Sequence, residues 1–198
     1  MTPFSSLAVA LHQIGAVQFG EFQLKSGLKS NIYINLRKII AYPTLLKQIA
    51  TLIWSKIDRV SFDLVCGIPY TALPIATALS LEHNIPMVIR RKEKKTYGTK
   101  QLIEGVFQAG QSCLIIEDII TTGSSVLETT ADLEAANLKI HDVVVLVDRG
   151  QGGLQTLTQR YRVHVIFTLS QMLQMLLQAH VLNATEQPIV ETFLSSRG

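Results

Sequence analysis

Two adjacent acids followed by a cluster of hydroxyls stand in the segment 114–125, whose sequence is LIIEDIITTGSS. Glu117 and Asp118 end an apolar pattern typical of a buried strand, and ligands of parallel α/β sheets bind outside the carboxyl ends of strands. Successive strand residues point in different directions, so each acid could accept a hydrogen bond from one of two neighbouring hydroxyls of a ligand. The turn 121–125 then offers backbone N–H groups, hydroxyls and Gly123 at a helix start, which suit an anion. Together these groups predict a site for a ribose 5-phosphate.

A purely structural interpretation of the same segment is also available. Asp118 and Thr121 could cap the following helix while Glu117 stays in solvent. Two acids with four hydroxyls and a glycine favour the phosphoribose site over capping alone. Neither the dinucleotide pattern GxGxxG nor the phosphate-loop pattern GxxxxGK[ST] occurs in the chain, which excludes those two kinds of nucleotide site.

The elements around this segment alternate between strand and helix patterns. Strands are predicted at 31–37, 62–66, 86–90, 112–118, 141–148 and 163–169, and helices at 2–14, 43–57, 70–83, 121–137, 152–161, 170–182 and 185–196. Near-continuous apolar strands alternating with helices are typical of a parallel sheet covered on both faces. We therefore expect one α/β domain of 198 residues, with a Rossmann-like, mostly parallel sheet flanked by helices and a small N-terminal element over about 1–40.

Composition and charge limit the classes of function. A hydrophobic content of 47% and a net charge of +3 fit a compact protein and do not favour a nucleic-acid binder. Cys66 and Cys113 each lie in an apolar run without a CxxC pattern, which argues against structural zinc and for a reducing compartment. No signal peptide pattern and no apolar run of about 18 residues occurs, so we expect a cytoplasmic protein without a membrane partner.

A long polar segment at 90–105, with the sequence RRKEKKTYGTKQLIEG, interrupts the alternation. Long loops inside compact domains are usually functional. Its first six residues contain five cations and a single counter-charge, Glu93, so an anionic ligand or partner is expected to neutralise the cations. The alternatives are a solvated face or an RNA-binding patch, and the lack of an aromatic-rich sheet face weakens the latter.

The segment LIIEDIITTGSS resembles the phosphoribosyl-pyrophosphate (PRPP) binding motif of the type I phosphoribosyltransferases, and the resemblance implies their fold. It further implies that Glu117 and Asp118 bind the ribose 2′- and 3′-hydroxyls. The 5′-phosphate would then be held by Thr121, Thr122, Gly123, Ser124 and Ser125.

Two other stretches resemble the orotate phosphoribosyltransferases in particular. The stretch 22–37, FQLKSGLKSNIYINLR, is similar to their N-terminal hood, which implies that Lys25 reaches both substrates and that Tyr33 and Ile34 cover orotate. The stretch LVDRGQGG at 146–153 is similar to their Asp-Arg-x-x-x-Gly element, in which Arg149 would pair with the orotate carboxylate. Thr121 is the other expected orotate contact. Taken alone, Lys25 could be a surface lysine and Arg149 could pair with the adjacent Asp148.

The polar segment and the turn CGIPYTALP at 66–74 complete this resemblance. They imply pyrophosphate contacts from Tyr70, Thr71, Arg91, Lys92, Lys95 and Tyr97, with Lys95 and Asp118 as the catalytic residues. In the family the segment around Lys95 is a mobile loop that closes over the neighbouring subunit's site, which implies a homodimer. Thr71 and Tyr97 stand where many members have lysine and histidine, as in the transferase half of eukaryotic UMP synthase. Arg90 and Lys94 are not positions that the family uses, and we expect them only to tune solubility.

The implied reaction converts orotate and PRPP into orotidine 5′-monophosphate and pyrophosphate. Positive charge would grow on the ribose and negative charge on the pyrophosphate, so carboxylates are expected near the sugar and cations near the leaving group. Mg²⁺ is the expected cofactor, held mainly by PRPP and water. A separate orotidylate decarboxylase is a possible partner. The competing hypotheses are a transferase for another base and a non-catalytic regulator that binds nucleotide.

Overall fold

A computed structural model describes residues 2–23, 29–92 and 102–196, and the chain forms two compact units. The smaller unit combines Met1–Leu45 with Leu169–Gly198, and the larger unit is Leu46–Thr168. The N-terminal element predicted over about 1–40 is therefore grouped with the C-terminal helices. Within the described residues, no helix has the length and apolar character that crossing a membrane requires.

The elements over 43–178 alternate between helix and strand as the sequence predicts, except that three strands follow one another between 89 and 120. They are α1 (Pro3–Gln13), β1 (Val17–Gln23), β2 (Lys29–Ile34), a 3-10 helix (Leu36–Ala41), α2 (Pro43–Ile57), β3 (Leu64–Gly67), α3 (Ala72–His83), β4 (Ile89–Arg90), β5 (Ile103–Glu104), β6 (Cys113–Ile120), α4 (Ser124–Ala135), β7 (Asp142–Asp148), α5 (Gly153–Thr158), β8 (Arg162–Thr168), α6 (Leu169–Gln178) and α7 (Gln187–Ser195). The strands β1 and β5 were not predicted. The strand expected at 86–90 is shorter, with only β4 and a single bridge from Met87 to Val65 in β3.

The described residues of the smaller unit form the antiparallel hairpin of β1 and β2, the 3-10 helix and the helices α1, α6 and α7. The Thr2 hydroxyl caps α1 by accepting a hydrogen bond from the Ser5 N–H at 3.1 Å, and Pro3 begins the helix. The apolar face of α1, including Leu7 and Leu11, is buried, and α1 packs against α6. The strands β1 and β2 pair in antiparallel register, with Val17 opposite Ile34.

The larger unit contains a four-stranded parallel sheet in the order β3-β6-β7-β8. Every residue of β7 is buried, as expected for a central strand covered on both faces. The core on one face joins Ile115 of β6 and Val145 of β7 to Val126 and Leu133 of α4. Because the strands are parallel, the carboxyl ends of β3, β6 and β7 lie side by side at one edge of the sheet.

Candidate active site at the carboxyl edge of the sheet

The two acids lie near the end of β6 and differ in their surroundings. Glu117 is 4% exposed, whereas Asp118 is half-buried. The Glu117 carboxyl accepts hydrogen bonds from the Ser125 hydroxyl at 2.5 Å and from the Asp118 backbone N–H at 3.1 Å. Burial, with a smaller contribution from the neighbouring Asp118 side chain, raises the pKa of Glu117 to about 8, and the Ser125 hydrogen bond opposes the rise. Burial at this position therefore favours the protonated form of Glu117 over the carboxylate.

The turn after β6 has the features of an anion site. Gly123 is the N-cap of α4 with φ of +83°, a backbone conformation that favours glycine. Thr121, Thr122, Ser124 and Ser125 are exposed, and the Thr122 hydroxyl donates to the Ser124 hydroxyl at 3.3 Å. The N-cap residue of α4 is Gly123 rather than Asp118 or Thr121, and Glu117 is buried, so the structural interpretation in which Asp118 and Thr121 cap this helix while Glu117 stays in solvent is wrong. Unsatisfied N–H groups at a helix start favour an anion.

The Asp-Arg-x-x-x-Gly stretch holds this turn from the adjacent strand. The Gly153 N–H donates to the Thr121 carbonyl at 2.8 Å, and the Arg149 N–H donates to the Ile120 carbonyl at 3.1 Å. A Cβ on Gly153 would lie 2.6 Å from the Thr121 carbonyl oxygen, so only glycine fits. The buried Asp148 carboxylate accepts a hydrogen bond from the Gly150 N–H at 2.9 Å. These contacts bring the half-buried Arg149 to the same sheet edge as the acid pair.

The turn after β3 brings a second group of predicted residues to this edge. A Cβ on Gly67 would lie 2.4 Å from the Ala72 carbonyl oxygen, so glycine allows the chain to enter α3 closely. The Pro69–Tyr70 peptide bond is cis. Thr71 is buried, whereas Tyr70 is 60% exposed. The Lys92 ammonium lies 5.2 Å from the centroid of the Tyr70 ring, within the range of a cation–π contact.

The remaining predicted residues are less completely placed. Arg91 lies at the base of the polar segment and contacts Glu104 at 3.5 Å. Lys25, Lys95 and Tyr97 lie outside the described residues. Tyr33 and Ile34 belong to the smaller unit, where Tyr33 stacks on Phe22 with ring centroids 5.3 Å apart and Ile34 is buried.

One expectation about the polar segment is wrong. Arg90, which the sequence assigned only to solubility, is largely buried and pairs with Asp132 of α4 through an Nη2–Oδ2 contact of 2.7 Å. The two residues are 42 positions apart. No short motif could therefore have indicated the pair.

The chain resembles known proteins over nearly its whole length. Residues 36–170 match the phosphoribosyl transferase domain family. Over 191 residues the chain is 41% identical to orotate phosphoribosyltransferase of Chlamydia caviae, covering 95% of this chain and 93% of that protein. The chain belongs to the orotate phosphoribosyltransferase family. The type I phosphoribosyltransferase fold predicted from the sequence is confirmed.

Two other proteins that the chain resembles are longer than it is. Uridine 5′-monophosphate synthase of Bos taurus is 50% identical over 192 residues, which cover 96% of this chain but 40% of that protein. The solved structure of Leishmania donovani UMP synthase matches with a TM-score of 0.86 at 35% identity, covering 97% of this chain and 42% of that chain. This chain thus spans about two fifths of these two relatives.

Proposed function

We propose that the chain transfers the 5-phosphoribosyl group of PRPP to orotate, which yields orotidine 5′-monophosphate and pyrophosphate. The observation that carries this proposal is the position of the acid pair, buried Glu117 and half-buried Asp118, beside the turn that begins α4. Acceptors for a diol and donors for a phosphate stand within eight residues of one another in the sequence. The hydrogen bond from Ser125 to Glu117 also joins the acid pair to the turn in space. The family membership of the chain supports orotate as the base.

The two acids would bind the ribose hydroxyls, and the turn would bind the 5′-phosphate. Asp118 is half-buried at the end of β6 and is therefore available to a sugar, whereas Glu117 is positioned by Ser125 and by the Asp118 N–H. The exposed hydroxyls of Thr121, Thr122 and Ser124, together with the N–H groups at the start of α4, would surround the phosphate. Gly123 leaves room for the backbone to approach it.

Cations at the opposite side of the substrate would stabilise the departing pyrophosphate. Lys92 lies over the exposed ring of Tyr70, so the two predicted pyrophosphate contacts are already neighbours. Negative charge develops on the leaving group as its bond to the anomeric carbon breaks, so fixed cations favour the transition state over the ground state. Arg91, Lys95 and Tyr97 would add to this set, and Thr71 would contribute a hydroxyl or its backbone N–H.

Orotate is a planar carboxylate, and an arginine fork suits that geometry. Arg149 would bind the carboxylate, since its backbone is fixed by the Ile120 carbonyl beside the acid pair. Thr121 would contact the same base. Roles for Lys25, Tyr33 and Ile34 in binding orotate are proposed only from the resemblance of the stretch 22–37 to the family's N-terminal hood. Orotate is already an anion, so the reaction needs no strong general base.

Magnesium fits a site of this composition. The described residues contain no group of three or more histidine, cysteine or acidic side chains that could hold a metal by itself. Mg²⁺ prefers oxygen ligands and commonly keeps its waters while binding substrate phosphates. When bound through PRPP and water, it would neutralise pyrophosphate charge, and Glu117 and Asp118 are the carboxylates nearest the sugar that could contact its waters.

We further propose a cytoplasmic homodimer in which the segment around Lys95 serves the neighbouring subunit's site. The resemblance of the sequence RRKEKKTYG to the family loop supports this assignment. A separate orotidylate decarboxylase is the proposed functional partner, because the longer relatives are named uridine 5′-monophosphate synthase.

An assay of orotate consumption with PRPP and magnesium tests the proposed function. Absorbance of orotate and release of pyrophosphate are followed together, with adenine, hypoxanthine and uracil offered as competing bases. Equal consumption of orotate and release of pyrophosphate is expected. Turnover of another base in preference to orotate would contradict the assignment of the base, and no turnover of any base would support a non-catalytic regulator. Asp118→Asn serves as the site control and should abolish turnover.

A further inference from the structure

The base of the polar segment is a short antiparallel ribbon anchored on the core of the larger unit. In this ribbon β4 pairs with β5, with Arg90 opposite Ile103, and the Arg91 N–H donates to the Leu102 carbonyl at 2.9 Å. Ile103 is buried in the same core as Val88, which precedes β4. The ribbon therefore carries Arg91 and Lys92 out of a fixed region of the structure.

Arg90 connects this ribbon to the helix that follows the acid pair. Its Nε donates to Asp132 Oδ2 at 2.8 Å and its Nη2 lies 2.7 Å from the same oxygen. The side chains are 16% and 28% exposed. Asp132 lies two turns after Ser124 on α4, so the contact ties the ribbon to the element that begins at the phosphate turn.

The ribbon also lies beside the strand that leads to Tyr70. The Val88 N–H, just before β4, donates to the Val65 carbonyl of β3 at 3.0 Å, and the Arg90 charge partly opposes the burial that raises the pKa of the Cys66 thiol to about 11. Cys66 lies four residues before Tyr70. Arg90 thus lies between the segments that carry three predicted parts of the site. These parts are the turn of Tyr70, the cations Arg91 and Lys92, and α4.

We infer that Arg90 and Asp132 are positioning residues that hold Arg91 and Lys92 at a fixed distance from the phosphate turn. This inference rests on the proposed function. Neither residue needs to touch a substrate. Their ion pair removes the freedom of the ribbon to move away from α4, so that the cations are in place before pyrophosphate binds.

Another ion pair on the same helix offers a matched control. Arg160 contacts Glu134 of α4 at 3.2 Å, but these side chains are 54% and 36% exposed, and neither residue belongs to β4 or β5. Exposed pairs contribute little to stability. Arg160→Met therefore makes the same chemical change as Arg90→Met without disturbing β4 or β5.

The test measures binding of magnesium pyrophosphate by calorimetry and the KM values of orotate and PRPP. Arg90→Met and Asp132→Asn are each expected to weaken pyrophosphate binding about tenfold while the KM of orotate changes by less than about twofold. Combining the two substitutions should add little, because both remove the same contact. Arg160→Met should leave pyrophosphate binding within about twofold of wild type.

Hydrogen exchange in the ligand-free protein gives a readout that does not depend on turnover. Amides of residues 89–92 and 102–104 should exchange faster in Arg90→Met and Asp132→Asn than in wild type. Their exchange rates in Arg160→Met should equal those of wild type. Unaltered pyrophosphate binding, or equal weakening of orotate and pyrophosphate, would overturn the positioning role. If Arg90→Met does not fold, Asp132→Asn decides the question, because its side chain is isosteric. Failure of the wild type to consume any orotate would refute the proposed function. Variants that consume orotate and bind pyrophosphate as the wild type does would refute only the positioning role.

Discussion

Removing the titratable group of Glu117 while keeping its shape should change how the stability of the fold depends on pH. Glu117→Gln replaces the protonated carboxyl by an amide that can still accept from Ser125, whose hydroxyl lies 2.5 Å from the carboxyl in the native protein. Glu117 has a pKa of about 8 in the folded chain because of burial, against an ordinary value of 4.5. The unfolded state therefore binds fewer protons than the folded state between these two values.

The direction and size of the effect follow from proton linkage. Below about pH 4.5 the carboxyl is protonated in both states, and the stability due to its raised pKa is fully present. As the pH rises towards 8, the native state must keep a proton that the unfolded state has lost, and this stability declines. The loss is roughly 1 kcal/mol per pH unit within the window, so about 2 kcal/mol should disappear between pH 5 and pH 7.

Urea unfolding of both proteins at a series of pH values from 5 to 8 measures this difference. The free energy of unfolding of wild type should fall relative to that of Glu117→Gln by about 2 kcal/mol between pH 5 and pH 7. Titrating groups that do not contact Glu117, such as the histidines, contribute equally to both proteins and cancel in the difference. Parallel dependence of the two proteins on pH would refute the assignment of a protonated Glu117.

The other predictions concern three positions. Lys95→Ala should lower kcat by about 100-fold or more while the KM of orotate changes little, and unchanged turnover would remove Lys95 from catalysis. Arg149→Ala should raise the KM of orotate by about tenfold or more and leave that of PRPP nearly unchanged, because only the base carries the carboxylate; equal losses for both substrates would contradict this role. Gly153→Ala should lower the free energy of unfolding by about 2 kcal/mol and weaken the binding of PRPP, since the added Cβ would lie 2.6 Å from the Thr121 carbonyl oxygen. Thermal unfolding of this variant equal to wild type would show that the turn is less closely packed than described.

Local sequence patterns predicted the elements that have strong periodicity. The helix expected at 43–57 is α2 without a change of boundary, because Ile49, Ile53 and Ile57 repeat on one buried face. The strand β1 was missed because polar residues and Gly20 interrupt its apolar pattern. The strand at 86–90 was shortened because its residues approach β3 through a single bridge rather than a full ladder. The grouping of α6 with α1 depends on contacts between the two ends of the chain, which no local pattern encodes.

The candidate site likewise has features that local sequence predicts and features that depend on contacts between distant residues. The acid pair and its turn are consecutive in sequence, so their chemistry could be predicted from spacing, and resemblance supplied the roles of distant residues such as Arg149. The need for glycine at position 153 became clear only when the Thr121 carbonyl was found beside it. The raised pKa of Glu117 likewise depends on burial, which its residue type does not indicate. The pair of Arg90 and Asp132 is a tertiary contact, so the expectation that Arg90 only tunes solubility, which rested on the family loop not using this position, is wrong.

The most direct test of the central claim is a crystal structure of the chain with magnesium and PRPP bound in the absence of orotate. The account predicts that the ribose 2′- and 3′-hydroxyls lie within hydrogen-bonding distance of Glu117 and Asp118, with the 5′-phosphate on the N–H groups of residues 121–125. Density that puts the ribose at any other edge of the sheet, with the acid pair still bound only to Ser125 and its own backbone, would contradict it.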